Sequence, residues 1–272
     1  MGWRIKMILG YSIYEVISLF FIYGFLGWCV EVAYCGLECG TFVNRGFLNG
    51  PICPIYGVGG VIVVLCLTPI CDNIILLFIG SAFLTTILEL ITGFALDKIF
   101  HARWWDYSDV PFNLNGYVCL KFSVYWGLVC IALMRGIHPV IFSFVKHIPH
   151  LLEVIALIFL AVVFITDVVI TVLTINKLAK RMKLMNEIAE KIHSVSDDIG
   201  EYVYEGAVHI AHKGEEVHSK YKEELEELKE KYAVMVNERH ILQRRIIKAF
   251  PNIRMHKHNE HLDKLKERIR KK

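Results

Sequence analysis

Between residues 148 and 174 the chain offers 27 positions at which Glu153 and Asp167 carry the only formal charges. A helix rises ~1.5 Å per residue, so such a run can cross the ~30 Å hydrocarbon core of a bilayer, where every backbone polar group must be satisfied within the segment. Residues 13–34, 52–70, 73–96 and 118–133 have the same apolar character. The pattern predicts an all-α polytopic membrane helix bundle of about five spans. A mean hydropathy of +0.45 with 55% hydrophobic residues points the same way, because a soluble chain needs a more polar surface. The first run is long and lacks a short apolar core with a small-residue cleavage site, so it reads as a retained span rather than a signal peptide.

Charge divides the chain. Residues 1–176 hold eight Lys/Arg and ten Asp/Glu, a net of −2, which leaves +5 of the total +3 in residues 177–272. The expectation is a transmembrane domain over 1–176 and a cytosolic helical tail over 177–272. In the tail Leu225, Leu228, Tyr232, Met235, Arg239, Leu242 and Ile246 follow a heptad seam that predicts a coiled coil or a long helix. Glu227 and Lys231 form a supporting i, i+4 pair, and Pro251 ends the helix. The basic end from Lys264 to Lys272 suits anionic lipid heads.

An odd span count places the termini on opposite sides. With the C-terminus cytoplasmic, the inside flanks carry Arg45, Lys98, Arg103, Lys121, Lys177, Lys180, Arg181 and Lys183, against Arg4, Lys6, Arg135 and Lys146 outside. That bias predicts an N-out, C-in protein of the cell membrane.

The eight cysteines lie between Cys29 and Cys130 without a CxxC pair, so they read as small buried hydrophobes; Cys35 and Cys39 alone have the spacing of a helical thiol pair. The sequence has no GxxxxGK[ST], GxGxxG, HExxH or GxSxG pattern, so neither a cofactor nor a metal is expected, and nucleotide hydrolysis would belong to another chain.

Chemistry concentrates in two connectors and the spans before them. Glu31 and Glu89 are ionisable groups inside apolar runs, where such residues face the bundle and mark a site or a polar pathway. Asp167, also in a span, reads as a bond to a neighbouring helix. Arg45, in "NRGFLNGPICPIYG", and Arg103, in "HARWWDYSDVPFNLNGY", can either hold an anionic group or neutralise the two Glu. Asn44, Asn49, Asn113 and Asn115 add directional hydrogen bonds. Trp104 and Trp105 fit an interfacial aromatic belt. Asp106 suits a turn or cap with Ser108, and a metal site from Asp106, Asp109 and His101 is the weaker alternative.

The two connectors look related. An offset of 58 aligns Leu19 with Leu77, Phe20 with Phe78, Phe25 with Phe83, Leu26 with Leu84, Glu31 with Glu89 and Arg45 with Arg103. Each connector then carries an Asn-Gly pair before the next span. This predicts two tandem span–loop–span units of one orientation, plus one further span, with both loops on one membrane face and both Glu at a shared interface.

With "FLGWCVEVAY", "GTFVNRGFLNGPICPIYG", "ELITGFALDKIFHARWWDYSDVPFNLNGYVCLKFSVYWG" and "KAFPNIR" in view, the chain resembles the family named Putative ABC-transporter type IV, the CmpB-like permeases. The resemblance covers roughly residues 20–130 and implies a multi-span transport component, with an ATPase partner on another chain or a homo-oligomer completing it. The residues themselves leave three classes open. One is a transport component with Glu31, Arg45, Asn49, Glu89, Arg103, Asp106, Asn113 and Asn115 along its path. Another is a membrane-embedded enzyme acting on a lipid or amphiphile at the cytosolic interface. The third is a scaffold whose tail recruits cytosolic partners. Membrane lipids are expected partners and nucleic acid is not.

Overall fold

A computed structural model describes residues 7–8, 10–208, 214–238 and 240–270. Arg4, Lys6, Arg239, Lys271, Lys272 and the side chain of Cys39, on which parts of the sequence reading fall, lie outside what it describes. The chain is almost wholly helical, with its few strands two residues long. The described residues up to Leu173, with Arg245–Ile253, form one compact unit; those of Thr174–Arg244 and Arg254–Lys272 form another.

The first unit opens with α1 (Ile13–Cys39), started by a capping box in which Ser12 and Glu15 bond each other's backbone N–H. Gly40 ends it in the left-handed region at φ 66°. After a loop come α2 (Pro54–Leu67), a 3-10 turn, and α3 (Ile74–Phe100), whose N-cap Asn73 accepts from Ile75 and Leu76. A second loop leads to α4 (Leu120–Ala132), a π turn at Leu133–Ile137, and α5 (His138–Lys146). The π turn lets one continuous helical run accommodate Pro139, which cannot donate to a regular ladder. The first part of α6 (His150–Val208) completes the unit, and this helix passes residue 176 without a break.

Four helical runs are long and apolar enough to cross a membrane: Ile13–Leu37, Ile74–Phe100, Leu120–Lys146 and His150–Asp198. The protein is therefore an all-α membrane helix bundle. The second expected span is instead the shorter apolar helix Pro54–Ile70. Pro54 sets its first turn and Cys53 before it is extended, so the 14 residues of α2 rise only ~21 Å.

Helices α1 and α2, and α3 and α4, pack most extensively, with α2 also against α3. Small residues permit the approach. A Cβ on Gly57 would lie 2.6 Å from the Phe20 carbonyl, and one on Gly127 would lie 2.7 Å from the Phe78 ring. Phe20 and Phe78 are positions matched by the offset of 58, so equivalent aromatics meet a glycine on the following helix.

A core of Tyr11, Leu19, Tyr23, Val63, Val64, Leu67, Leu77, Cys130 and Met134 joins the start of α1 and α3 to the end of α2 and α4. The buried His138 ring lies here, with the Tyr23 hydroxyl 2.6 Å from Nδ1 and the Tyr11 hydroxyl 3.2 Å from Nε2. Both long loops therefore emerge at the other end of the bundle, where Phe47 of the first meets Trp104 of the second at 5.1 Å between ring centroids.

The second unit contains α7 (Gly214–Asn237) and α9 (Asn259–Arg270); between them in the chain comes α8 (Ile241–Ala249), whose residues from Arg245 on belong to the first unit. The heptad seam does not run through one helix, because α7 ends at Asn237. Arg181 donates to the carbonyls of Met235 and Glu238, and Arg268 to that of Val236, so two cations hold the last orphan carbonyls of α7. The stop before Pro251 falls at Ala249.

Candidate functional site

The first loop is held from two sides. Asp167, in mid-α6, accepts from the Asn49 backbone N–H at 3.0 Å, the Asn49 side-chain amide at 2.8 Å and the Gly50 N–H at 2.6 Å. Thr171, one turn on, meets the same carboxylate and the same amide. Arg245, in the middle of α8, donates to the carbonyls of Gly46 and Leu48 at 2.8 Å each and of Phe47 at 2.9 Å. Burial lowers its pKa while the nearby Asp167 charge opposes the shift. Asn44 accepts from the Trp28 indole at 2.7 Å and donates to the Asn49 carbonyl at 2.7 Å. Asn44 and Asn49 are thus engaged in fixing the loop. Arg245 was absent from the sequence reading, since its partners lie about two hundred residues away.

The second loop carries its own scaffold. Residues 113–114 and 118–119 pair as a hairpin in which Asn115 at φ 52° and Gly116 at φ 75° are the central residues, closed by a Tyr117 N–H to Leu114 carbonyl bond of 3.1 Å. That is a type I′ turn, the conformation an Asn-Gly pair favours most. Asn113 donates to the Ser108 and Val110 carbonyls and accepts from the Gly116 N–H. Asp106 accepts from both the N–H and the hydroxyl of Ser108, an Asx turn. Trp105 donates to the Tyr117 carbonyl at 2.9 Å. Trp104 departs from the belt reading: it is 4% exposed and packs edge-on among Phe47, Phe100 and Phe250.

Both arginines turn to carboxylates. Arg45 Nε lies 3.5 Å from Glu31, and Arg103 lies 3.7 Å from Asp97 and 3.6 Å from Asp106, its guanidinium 5.0 Å from the Tyr117 ring. Arg103 thus leaves Glu89 to another residue, because Asp97 in the last turn of α3 and Asp106 of its own loop already hold it. The Tyr117 hydroxyl donates to Asp97 at 2.5 Å, and that bond, then burial, raises the phenol's pKa.

The two span carboxylates each take a tyrosine hydroxyl. Tyr56, at the start of α2, donates to Glu31 at 2.5 Å, and Tyr107 of the second loop donates to Glu89 at 3.1 Å. Aromatics one turn apart on α4 back them: Trp126 lies edge-on to Tyr56 at 5.4 Å, and Phe122 stacks on Tyr107 at 4.8 Å. The Tyr107 pKa is raised by burial first, then by Glu89, and further by Cys119 and Glu31. Glu31 with Tyr56 and Glu89 with Tyr107 thus form two acid–phenol pairs, and the Glu31 charge acts in addition on the Tyr107 phenol.

Among the described residues no group of three or more His, Cys, Asp or Glu is placed to hold a metal ion. Chemically, the two pairs can bind and move protons and can offer negative charge to a passing group. Neither tyrosine stood out in the sequence, where each reads as one of twelve and as an interfacial aromatic.

No curated protein and no solved structure matches the chain. A family model does, over residues 18–172, which takes in both loops, Glu31, Glu89 and Asp167. The chain belongs to the family described as Putative ABC-transporter type IV.

Proposed function

We propose that this chain is the membrane-embedded component of a transporter whose substrate path passes the Glu31–Tyr56 and Glu89–Tyr107 pairs, with ATP hydrolysed by a separate chain. The supporting observation is that both in-span carboxylates turn into the bundle, while Phe83, Ile91, Ile158 and Val162 make up exposed apolar surface suited to lipid. Family membership agrees in coarse form, since it suggests an ABC-transporter component. The loops and second unit are cytoplasmic in this reading, with the N-terminus outside, following the Lys/Arg bias. A second copy or partner supplies further helices, and the second unit offers the cytosolic contact for the ATPase. An enzyme at the interface would need amide donors free for a substrate, whereas the Asn44 and Asn113 side chains bond their loops' own backbone and that of Asn49 bonds Asp167 and Thr171.

Crosslinking in native membranes followed by affinity purification of the full chain tests the proposal. The expected result is a co-purifying nucleotide-hydrolysing protein whose ATPase rate changes several-fold when Glu31→Gln or Glu89→Gln replaces the native chain. Purification without such a protein, or an ATPase rate indifferent to both substitutions, overturns it.

A further inference from the structure

Glu89 and Glu31 occupy matched positions yet differ in what surrounds them. Glu31 has a cation, Arg45, at 3.5 Å and the Tyr56 hydroxyl at 2.5 Å. Glu89 is 9% exposed, makes no ion pair among the described residues, and accepts one neutral donor, Tyr107, at Oε1. Its Oε2 is buried with no hydrogen-bond partner. An isolated carboxylate in an apolar interior with one neutral donor is far costlier than its protonated form, so such a group takes up a proton.

We propose that Glu89 is a proton-binding site: in the resting protein it is a carboxylic acid, with Oε1 on the Tyr107 hydroxyl and the exchangeable proton on Oε2. The titratable and charged neighbours fit this assignment. Its bonded partner is the neutral Tyr107 phenol of the second loop; the other titratable groups that act on that phenol are Cys119, ahead of α4, and Glu31 of α1, whose charge Arg45 offsets and which Tyr56 of α2 bonds. One turn back, Thr86 donates to Ser123 of α4 at 2.7 Å, so that polar pair is satisfied without Glu89. Deprotonation requires water, or a cationic group, to reach Oε2. The site rests on the proposed transport reading only for its consequence, which is to give that path a group that gains and loses charge within a cycle.

Dicyclohexylcarbodiimide distinguishes the two carboxyls because it reacts with protonated acids in apolar surroundings. The acid proton moves to a carbodiimide nitrogen, the carboxyl oxygen adds to the central carbon, and the O-acylisourea rearranges to a stable N-acylurea with no leaving group. The full chain in detergent micelles is labelled from about pH 6 to about pH 9 and the adduct mapped by mass spectrometry. The expected adduct is at Glu89, falls several-fold as pH rises, disappears in Glu89→Gln and persists in Glu31→Gln. Labelling at Glu31 instead, or spread evenly over Glu89, Asp97 and Glu153, overturns the assignment. So does an unlabelled Glu89 at the acid end of the series. Should Glu89→Gln fail to fold, mapping on the native chain decides alone. The readout needs neither substrate nor ATPase, so it can succeed where the transport reading fails.

Discussion

The two helix–loop–helix segments begin alike and are finished by different means. Helices α1 and α3 are both 27 residues long, both end on a left-handed residue, and in both loops the Asn-Gly glycine stands four residues before the next helix, Gly50 before Pro54 and Gly116 before Leu120. The first loop has no strand of its own and is held from outside, by Asp167 on its N–H groups and Arg245 on its carbonyls. The second, five residues longer, makes a hairpin and holds itself. The same difference reaches the carboxylates. Glu31 receives an arginine from its loop, whereas Glu89 receives a tyrosine because Arg103 is occupied by Asp97 and Asp106. Two similar frames can thus place a carboxyl beside a cation in one and beside a neutral phenol in the other.

The largest expected effect comes from removing the outside support of the first loop. Asp167→Ala leaves three donors of residues 49 and 50 without their acceptor and a half-buried Arg245 without its nearby negative charge, a loss of ~3–5 kcal/mol. Arg245→Ala, which orphans three carbonyls, should cost nearly as much. Thermal unfolding of the purified protein, with protease cleavage mapped between residues 40 and 53, reads both. A first loop that stays protected in both variants would mean that the loop, like the second, holds itself. Next comes Gly116→Ala, which places a Cβ at φ 75° against Asp106 Oδ1 and Ser108 Oγ. The expected cost is ~1–3 kcal/mol, with cleavage confined to residues 101–119 and the first loop intact.

These effects also mark what could be read without coordinates. The spans were legible because the hydropathy of a bilayer-crossing helix is local in sequence. The shortness of α2 was not, since Ile52 and Cys53 are as apolar as the helix they precede and only Pro54 marks the change. The hairpin is legible in principle from Asn115-Gly116, a pair that favours a type I′ turn and whose Asn reads equally well as a hydrogen-bonding side chain. Asp167 could be flagged as a charged residue in a span, yet its partners could not, and Arg245 looked like any basic residue of the tail. Contacts between distant segments are set by packing and leave no periodicity behind. Trp104 shows the same limit, because an interfacial indole and a buried one have the same local sequence.

The carboxylates themselves give a smaller contrast. Glu31→Gln removes the negative partner of Arg45 while both side chains are about a quarter exposed, 27% and 26%, so solvent screening limits the loss to ~1 kcal/mol. Glu89→Gln replaces a neutral acid by a neutral amide of the same shape that can still accept from Tyr107, and stability should change by less than ~0.5 kcal/mol. Parallel melting curves of the two variants test the pair. Equal losses would mean that both carboxyls are charged in the folded protein.

Alkaline titration separates the loops by the smallest margin. Tyr107 and Tyr117 both have phenol pKa values raised above the ordinary 10, Tyr107 chiefly by burial and Tyr117 chiefly by its bond to Asp97. Below about pH 10 the phenols are neutral in folded and unfolded chains alike, and their contribution is fully present. Above it the unfolded chain releases protons that the folded second loop retains, so stability falls as pH rises toward the folded values. The first loop has no phenol bonded to its backbone and is held instead by Asp167 and Arg245. Limited proteolysis between about pH 9 and about pH 11 should therefore open residues 101–119 before residues 40–53, with phenolate absorbance rising in step. Simultaneous opening of both loops would show that the hairpin depends on the first loop's supports, and that the second segment is not finished from within.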